Sequence, residues 1–391
     1  MESLERARLD AFFRRVTEQF PVGGPITSLI ITHLLSERPA FLRAMAETST
    51  VGAVLPKPKS VDQRTLDVVQ SLYPVHDLSR EQFADSTRAL EYVEDTAGGQ
   101  DVVLVDIGGY FAPSLGTVTE KFSGRVLGVV EDTENGHQRY AALDHLQCPV
   151  ISVARSPLKD CEDHLVGRSI VFSTDALVRA RGDILTSRNA CVLGFGKVGR
   201  SIAQTLRAHD LRVTVYDKDP IRRVQAHSHG FRTTATTTDA VRNAELVLCA
   251  TGNLALRQHD FAALRNGAYL ASVTSSEDEL ELTPLHELYQ RIPVGDQLTR
   301  YEITGHYFYV LADGGAVNFV HGAAVGTYIH LVQAEILAAT SALSHGHFQP
   351  GLHSMPTTDR QAIARIWLDH CDRGTTCRRP PPTSVPPPRR T

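Results

Sequence analysis

The sequence predicts an α/β protein in which two sheet-containing units face one cleft, and three observations carry that reading. The stretch NACVLGFGKVGRSIAQTL, residues 189–206, runs from a short apolar strand through Gly194, Gly196 and Gly199 into a helical pattern. A second apolar run, LRVTVYDKDP, ends in Asp217, 18 residues after Gly199. Upstream, the apolar runs SLIIT, VGAVL, DVVLVDIGG, GRVLGVV and CPVISVA alternate with helical stretches such as 36–47 and 83–94. That alternation is the pattern of a parallel sheet with crossover helices.

The glycine spacing GxGxxG after a strand and before a helix is the fingerprint of a Rossmann-type unit. Gly194 permits a tight turn, Gly196 lets backbone amides approach a pyrophosphate, and Gly199 lets helix and strand pack closely. The helix that starts at Lys197-Val198 then aims its N–H groups at the phosphates. Asp217 stands where a carboxylate accepts from a ribose 2′-hydroxyl, which favours NAD over NADP. A further strand, AELVLCATG, ends in Thr251-Gly252-Asn253, a small-residue turn at the carboxyl end of a strand, where ligands bind in such sheets.

In chain order, residues 1–170 read as the substrate-binding α/β domain, completed by 326–370, and 171–325 as the Rossmann domain. A helix over 172–188 is expected to bridge the two. GTYIHLVQAEILAATSAL, after the run YFYVLADGGAVNF, has helical periodicity. The final stretch, 371–391, is proline-rich and reads as a disordered or polyproline tail.

With 391 residues the chain is long enough for large cores, and 21% charged with 42% apolar residues is ordinary for a globular enzyme. A net charge of −4 gives no electrostatic footprint for nucleic acid or an anionic membrane surface. No apolar run approaches the roughly 20 residues of a membrane span, and the charged N-terminus is unlike a signal peptide. Six scattered cysteines lack zinc spacing, so no metal is expected, and reduced thiols in a cytoplasmic protein are the default.

These motifs resemble the S-adenosylhomocysteine hydrolase family over roughly residues 25–345. LGFGKVGRSIAQTLR, VTVYDKDP and LVLCATGN look like its cofactor domain. RYEITGHYFYVLADGGAVNF is similar to its strand pair ending in an Asn that holds the nicotinamide carboxamide, here Asn318. GVVEDTENG looks like its acidic, threonine-rich loop, and SVARSPLKDCEDHLVGRS resembles its catalytic Lys-x-x-x-Asp segment.

The resemblance implies NAD as a bound cofactor and a nucleoside-like substrate whose 3′-hydroxyl is oxidised before elimination at C5′. It implies Lys159 as the group handling the hydroxyl proton, with Asp163 as its partner. Asp132 falls where the family binds ribose hydroxyls, with Thr133 and Asn135 near the nicotinamide ribose; Glu134 replaces a threonine. His33 and Glu37 align with an acid/base histidine and an adenine-side glutamate, although a partly buried structural histidine is an equal reading of His33. The family's tetramer implies a homo-oligomer, dimer or tetramer.

Several positions depart from the family. Ile107 follows Asp106 where a second aspartate is expected, and Ser275 falls closest to a cofactor-domain histidine. Arg168 takes a cysteine's place, and His321 is shifted within HGAAVGTY. The proline tail stands where the family has a C-terminal arm. An enzyme that keeps the sugar oxidation and changes the later steps is the expectation; a true adenosylhomocysteinase and a non-catalytic NAD-binding protein are the alternatives.

Overall fold

A computed structural model describes residues 3–273 and 279–371. Ser275 and the proline-rich tail beyond 371 lie outside the described residues. Two sheets organise the chain. The first contains β1 (Thr27–Leu34), β2 (Thr50–Val61), β3 (Val102–Asp106), β4 (Val126–Glu131), β5 (Pro149–Ser152) and, from the C-terminal region, β14 (Gly351–His353). Its order is β14-β5-β4-β3-β1-β2, with every neighbouring pair parallel.

The second sheet contains β6 (Asn189–Leu193), β7 (Arg212–Tyr216), β8 (Arg232–Thr233), β9 (Leu246–Cys249), β10 (Ala268–Ser272), β11 (Gln290–Gly295), β12 (Leu298–Ile303) and β13 (His306–Leu311). Its order is β11-β12-β13-β10-β9-β6-β7-β8, parallel except for the antiparallel pairs β11/β12 and β12/β13.

Each sheet has a switch point. In the first sheet the chain winds outward in opposite directions from β1 and β3, and in the second from β6 and β9. At such a switch point the flanking crossovers leave on opposite faces, which opens a crevice beyond the strands' carboxyl ends. The residues following β1 and β3, and those following β6 and β9, are therefore placed to meet ligands.

The strands are buried on both faces and read as continuous apolar runs: Val102–Leu104 and Leu246–Cys249 are fully inaccessible. The helix Ile329–Ser344 is buried over most of its length and packs into the core of the first sheet, although its residues follow the second.

The bridging helix differs from the sequence expectation. It runs Pro157–Ala180, beginning 15 residues before 172. Ser156 accepts from Leu158 N as its N-cap and Pro157 occupies the first turn, so both start signals lie inside the segment expected to carry Lys159 and Asp163. Beyond it Gly182 adopts φ 82°, which ends the helix before 188. Lys159 and Asp163 consequently sit on the first two turns of a 24-residue helix linking the sheets. Among the described residues no helix is long and apolar enough to cross a membrane.

Candidate active site

A cleft of about 740 Å³ lies between the two sheets, lined by the carboxyl-end loops of both. On the cofactor side the three glycines do separate work. Gly194 has φ 96°, and a Cβ there would stand 2.4 Å from Ala250 O. One on Gly199 would meet Gly194 O at 2.0 Å, so helix and strand pack only through a bare Cα. Gly196 caps the helix Lys197–Ala208 and lines the cleft, where a Cβ would approach Arg222. Val198, Thr251, Gly252 and Asn253 line the same wall.

Asn318 is held on a turn at Val317–His321, 5% exposed, with its Oδ1 lacking a protein partner while the residue lines the cleft. A buried amide oxygen without a partner is costly, and a carboxamide N–H₂ from a ligand is the donor that fits it. Glycine turn, helix N-terminus, Asp217 and Asn318 together fit a nicotinamide dinucleotide.

Asp217 carries more than the sequence shows. Its Oδ2 accepts from Phe195 N at 2.7 Å and its Oδ1 from Asp219 N at 2.9 Å, so the carboxylate also fixes the glycine turn. A carboxylate has about four acceptor positions, which leaves room for ribose hydroxyls. Asp217→Asn should weaken NAD by about 1.5–3 kcal/mol for a lost charge-assisted bond, roughly 10- to 150-fold. Calorimetry checks this; an unchanged NAD affinity would show that Asp217 serves the turn alone.

Lys197, expected as a cofactor group, lines the cleft, and its ammonium lies 2.7 Å from Asp160 Oδ1 and 3.9 Å from Asp163 Oδ2 and donates to Ala154 O at 3.2 Å. Thr251 and Gly252 are likewise engaged: their N–H groups donate to Glu279, at 2.7 and 3.3 Å. Asn253 reaches toward Gln138 Oε1 at 3.5 Å, a weak contact.

Opposite this wall stands the acid–lysine cluster. The expected Lys159–Asp163 pair is not the direct contact. Lys159 Nζ donates to Glu162 Oε2 at 2.7 Å and lies 3.1 Å from Asp132 Oδ1, an ion contact off hydrogen-bond alignment. The physical reason is competition: Lys197 takes the side of Asp163 facing the cofactor lobe, while Asp132, at the end of β4, and Glu162 enclose Lys159.

Burial alone would lower the Lys159 pKa, but Asp132, Glu162 and Asp163 outweigh it and hold the group well above the ordinary lysine value. Lys159 is an ammonium here, not a base. Asp163 moves the other way: burial, partly offset by Lys159, raises its carboxyl to about 7.

His33 sits at the end of β1. The register passes from Thr32↔Pro56 to Leu34↔Val61, so residues 57–60 bulge out opposite it. Bulges re-aim side chains at sites, and this one brings Ser60 Oγ 2.5 Å from His33 Nδ1. The single Ser60 hydroxyl proton also has Lys57 O within reach, at 3.2 Å. With the hydroxyl turned to Lys57 O the ring donates from Nδ1, and with it turned to the ring Nδ1 accepts. Burial first, then Lys57, Arg38 and Lys159, push the His33 pKa well below its ordinary value. The ring is neutral and lines the cleft.

Thr133 and Asn135 also line the cleft but are largely spent on the fold. The Thr133 hydroxyl donates to Glu131 Oε1 and accepts from Gly136 N, while Asn135 Oδ1 accepts from Arg139. Their assignment to a ribose is therefore weakened by partners already in place. Glu37 lines the cleft beside Arg38. His321 is exposed and packs on Phe172, away from the cleft lining. Ile107 is 1% exposed and belongs to the apolar core.

Glu131 was not legible in the sequence beyond an acidic doublet at a strand's end. It is inaccessible and accepts from Gly108, Gly109 and Thr133 N–H groups, so it shapes the turn at the switch point. A Cβ on Gly136 would overlap its carboxylate, which explains the small residue there. Asp106 is its register partner on β3. Asp106 Oδ2 accepts from Phe111 N and Tyr140 Oη–H, while Oδ1 has no partner.

Burial, then the Asp106 charge, raises Glu131 to about 8, and burial raises Asp106 also. Both carboxyls are thus held above their ordinary range. A raised folded-state value contributes stability below the unfolded carboxyl value that is lost as pH climbs through the folded one. This pair's contribution should thus fall between about pH 4.5 and 8. Asp106→Asn can keep both Oδ2 contacts and donate from the Oδ1 side, so melting temperature against pH should flatten over that window. A slope identical to the parent's would contradict the raised carboxyls.

Two switch-point crevices facing each other, one that fits a nicotinamide dinucleotide and one carrying an ammonium, three carboxyl groups and a neutral imidazole, define a two-lobed NAD-dependent α/β enzyme. Residues 167–325 match the family described as S-adenosyl-L-homocysteine hydrolase, NAD binding domain. Adenosylhomocysteinase from Thermotoga maritima is 29% identical over 68% of this chain and 68% of its own length. The Pyrococcus abyssi adenosylhomocysteinase is 26% identical over 91% of this chain and 85% of that protein. These matches support a diverged member of the S-adenosylhomocysteine hydrolase family, with NAD as its cofactor.

Proposed function

We propose that the chain uses bound NAD to oxidise the 3′-hydroxyl of a nucleoside-type substrate, followed by elimination, epimerisation or substitution near C4′ and C5′. The observation that carries this is the Lys159–Asp132–Glu162–Asp163 cluster facing Asn318 and the glycine turn in one cleft. When bound, the nicotinamide accepts the hydride leaving C3′. The protein's share is the O3′ proton and the charge left on oxygen. Asp163, titrating near neutrality, is matched to take that proton, since a base works best with a pKa near the working pH. Lys159, fixed as an ammonium, hydrogen-bonds the developing oxyanion. His33, with a neutral ring lining the cleft, is placed to accept or relay a proton further along the sugar.

The pH dependence follows from these directions. Single-turnover cofactor reduction should rise as Asp163 ionises, through about pH 7, and level off above it. Asp163→Asn should remove that rise and slow the step about 10²–10⁴-fold, the usual worth of a positioned acid or base. A flat profile in the parent protein would reassign the proton acceptor.

A second reading, true adenosylhomocysteinase activity, is favoured by the names of the relatives. Against it stands Ile107: a buried isoleucine cannot exchange a proton where the resemblance implies a second aspartate. The deciding experiment incubates NAD-loaded protein with adenosine and related nucleosides, follows the reduced-nicotinamide absorbance, and analyses the products by mass. Reduction with an altered or eliminated sugar supports the proposal. No reduction with any nucleoside-type compound contradicts it.

A further inference from the structure

The helix that opens the dinucleotide site and the helix that carries Asp163 are joined side by side. Lys197 and Ser201 stand four residues apart on the first, Lys197–Ala208, and so share a face. Asp160, Asp163, His164 and Gly167 form the matching stripe on the second, Pro157–Ala180. Ser201 Oγ donates to His164 O at 2.6 Å. A Cβ on Gly167 would stand 2.5 Å from Ser201 Cβ, so the helices touch where only a glycine fits.

One turn nearer the cleft the same joint is charged. Lys197 is the first residue of its helix, directly after Gly196, yet its ammonium contacts Asp160, Asp163 and Ala154 O, which lie on the long helix and just after β5 of the first sheet. The Asp160 side chain is 59% exposed and that of Asp163 is 13% exposed. The ammonium thus rests on an open carboxylate at 2.7 Å and acts on a buried one from 3.9 Å. The other charged groups acting on Asp163 are Lys159 and Glu162 from its own helix and Asp132 from the end of β4.

We propose that Lys197 is a positioning residue for sugar oxidation, an ammonium supplied by the cofactor lobe that rests on Asp160 and holds Asp163 as the carboxylate receiving the O3′ proton. The inference rests on the sugar-oxidation reading of the cleft and adds the group that ties its proton acceptor to the cofactor lobe. An opposite charge within about 4–6 Å favours the charged form of a carboxyl. Lys159 does the same from the other side, while Glu162 and Asp132 oppose both. Lys159 is enclosed by Asp132 and Glu162, whereas Lys197 rests on Asp160, so the charge at Lys197 can be changed without touching the Lys159 contacts.

The test uses the full chain loaded with NAD and takes two readings against pH. One is single-turnover reduction of the cofactor by adenosine and related nucleosides. The other, without substrate, is the infrared carboxyl band of Asp163, assigned by subtracting the spectrum of Asp163→Asn. Lys197→Met should move both midpoints upward by about one pH unit, the low end for a charge at this distance because the lysine is partly open to water. Near pH 7 reduction should then be roughly fivefold slower, and above the new midpoint the parent's rate should return. Asp160→Asn removes a negative charge and frees Lys197 toward Asp163, so its midpoints should move downward. Lys197→Arg keeps the charge and should stay near the parent. NAD affinity by calorimetry should stay near the parent's in all three, because the N–H groups at the helix start are backbone.

Unmoved midpoints in Lys197→Met would overturn the proposal, and so would an upward shift in Asp160→Asn. A rate loss in Lys197→Met that persists at every pH would reduce the lysine to a structural contact. A loss of NAD affinity of about tenfold or more would hand Lys197 to the cofactor's phosphates instead. Absence of reduction with any nucleoside sinks the oxidation reading, while the infrared midpoint still decides whether Lys197 governs Asp163.

Discussion

Lys159→Ala should suppress substrate-dependent reduction of NAD by about 10²–10⁴-fold while leaving NAD affinity nearly intact. The ammonium sits in the substrate lobe, at the end of β4 and the start of the long helix, and touches none of the residues that fit the dinucleotide. Removing it does more than delete a donor. Asp132 and Glu162 would be left facing each other, both nearly buried, with their shared counter-charge gone. The variant should therefore melt at a lower temperature as well. Lys159→Met tests the same charge with the side-chain bulk kept, and Lys159→Arg restores the charge without the point-donor geometry. Transient kinetics with a verified substrate separates the possibilities: loss in both Ala and Met variants, at unchanged NAD affinity, is expected. Parent-like single-turnover reduction in Lys159→Met would show that the oxyanion is held by another group.

Hydrolysis of S-adenosylhomocysteine should be slow or absent. The full cycle needs proton transfer around C4′ and C5′ in addition to the 3′-hydroxyl. Ile107 lies in the apolar core, and His321 packs against Phe172. Each missing acid or base costs about two to four orders of magnitude, and groups that act as a unit lose their joint effect once. Direct measurement of homocysteine and adenosine release from NAD-loaded protein checks this. Ordinary multiple turnover would restore the hydrolase reading. Uptake of solvent deuterium at C4′ without release would locate the divergence after oxidation.

Much of the fold was legible because strand and helix periodicities are local. The runs SLIIT, CVLG and LVLC became β1, β6 and β9 because their residues are apolar on both faces, as central parallel strands require. The bridging helix was misplaced because its start lies in Ser156-Pro157, inside a segment read for its chemistry rather than its caps. The glycine motif was legible for a related reason: each glycine answers a contact made within the same strand–turn–helix unit or with its neighbouring strand.

The partners of Lys159 were not legible. Four residues on a helix place Lys159 and Asp163 on one face, but which carboxylate wins depends on Asp132 from β4 and on Lys197 from the other lobe. Those contacts exist only once two distant segments are brought together. The Asp106–Glu131 pair is the same kind of fact, created by register between β3 and β4.

The central claim is that this cleft removes a hydride from a sugar carbon and delivers it to NAD. The most direct measurement supplies NAD-loaded protein with a nucleoside deuterated at C3′, and determines the mass of the recovered dinucleotide. Deuterium in the reduced nicotinamide, with a ketone or its rearranged product on the sugar, is the predicted result. Reduced nicotinamide carrying no deuterium, or a dinucleotide that stays oxidised with every such compound, would contradict the account.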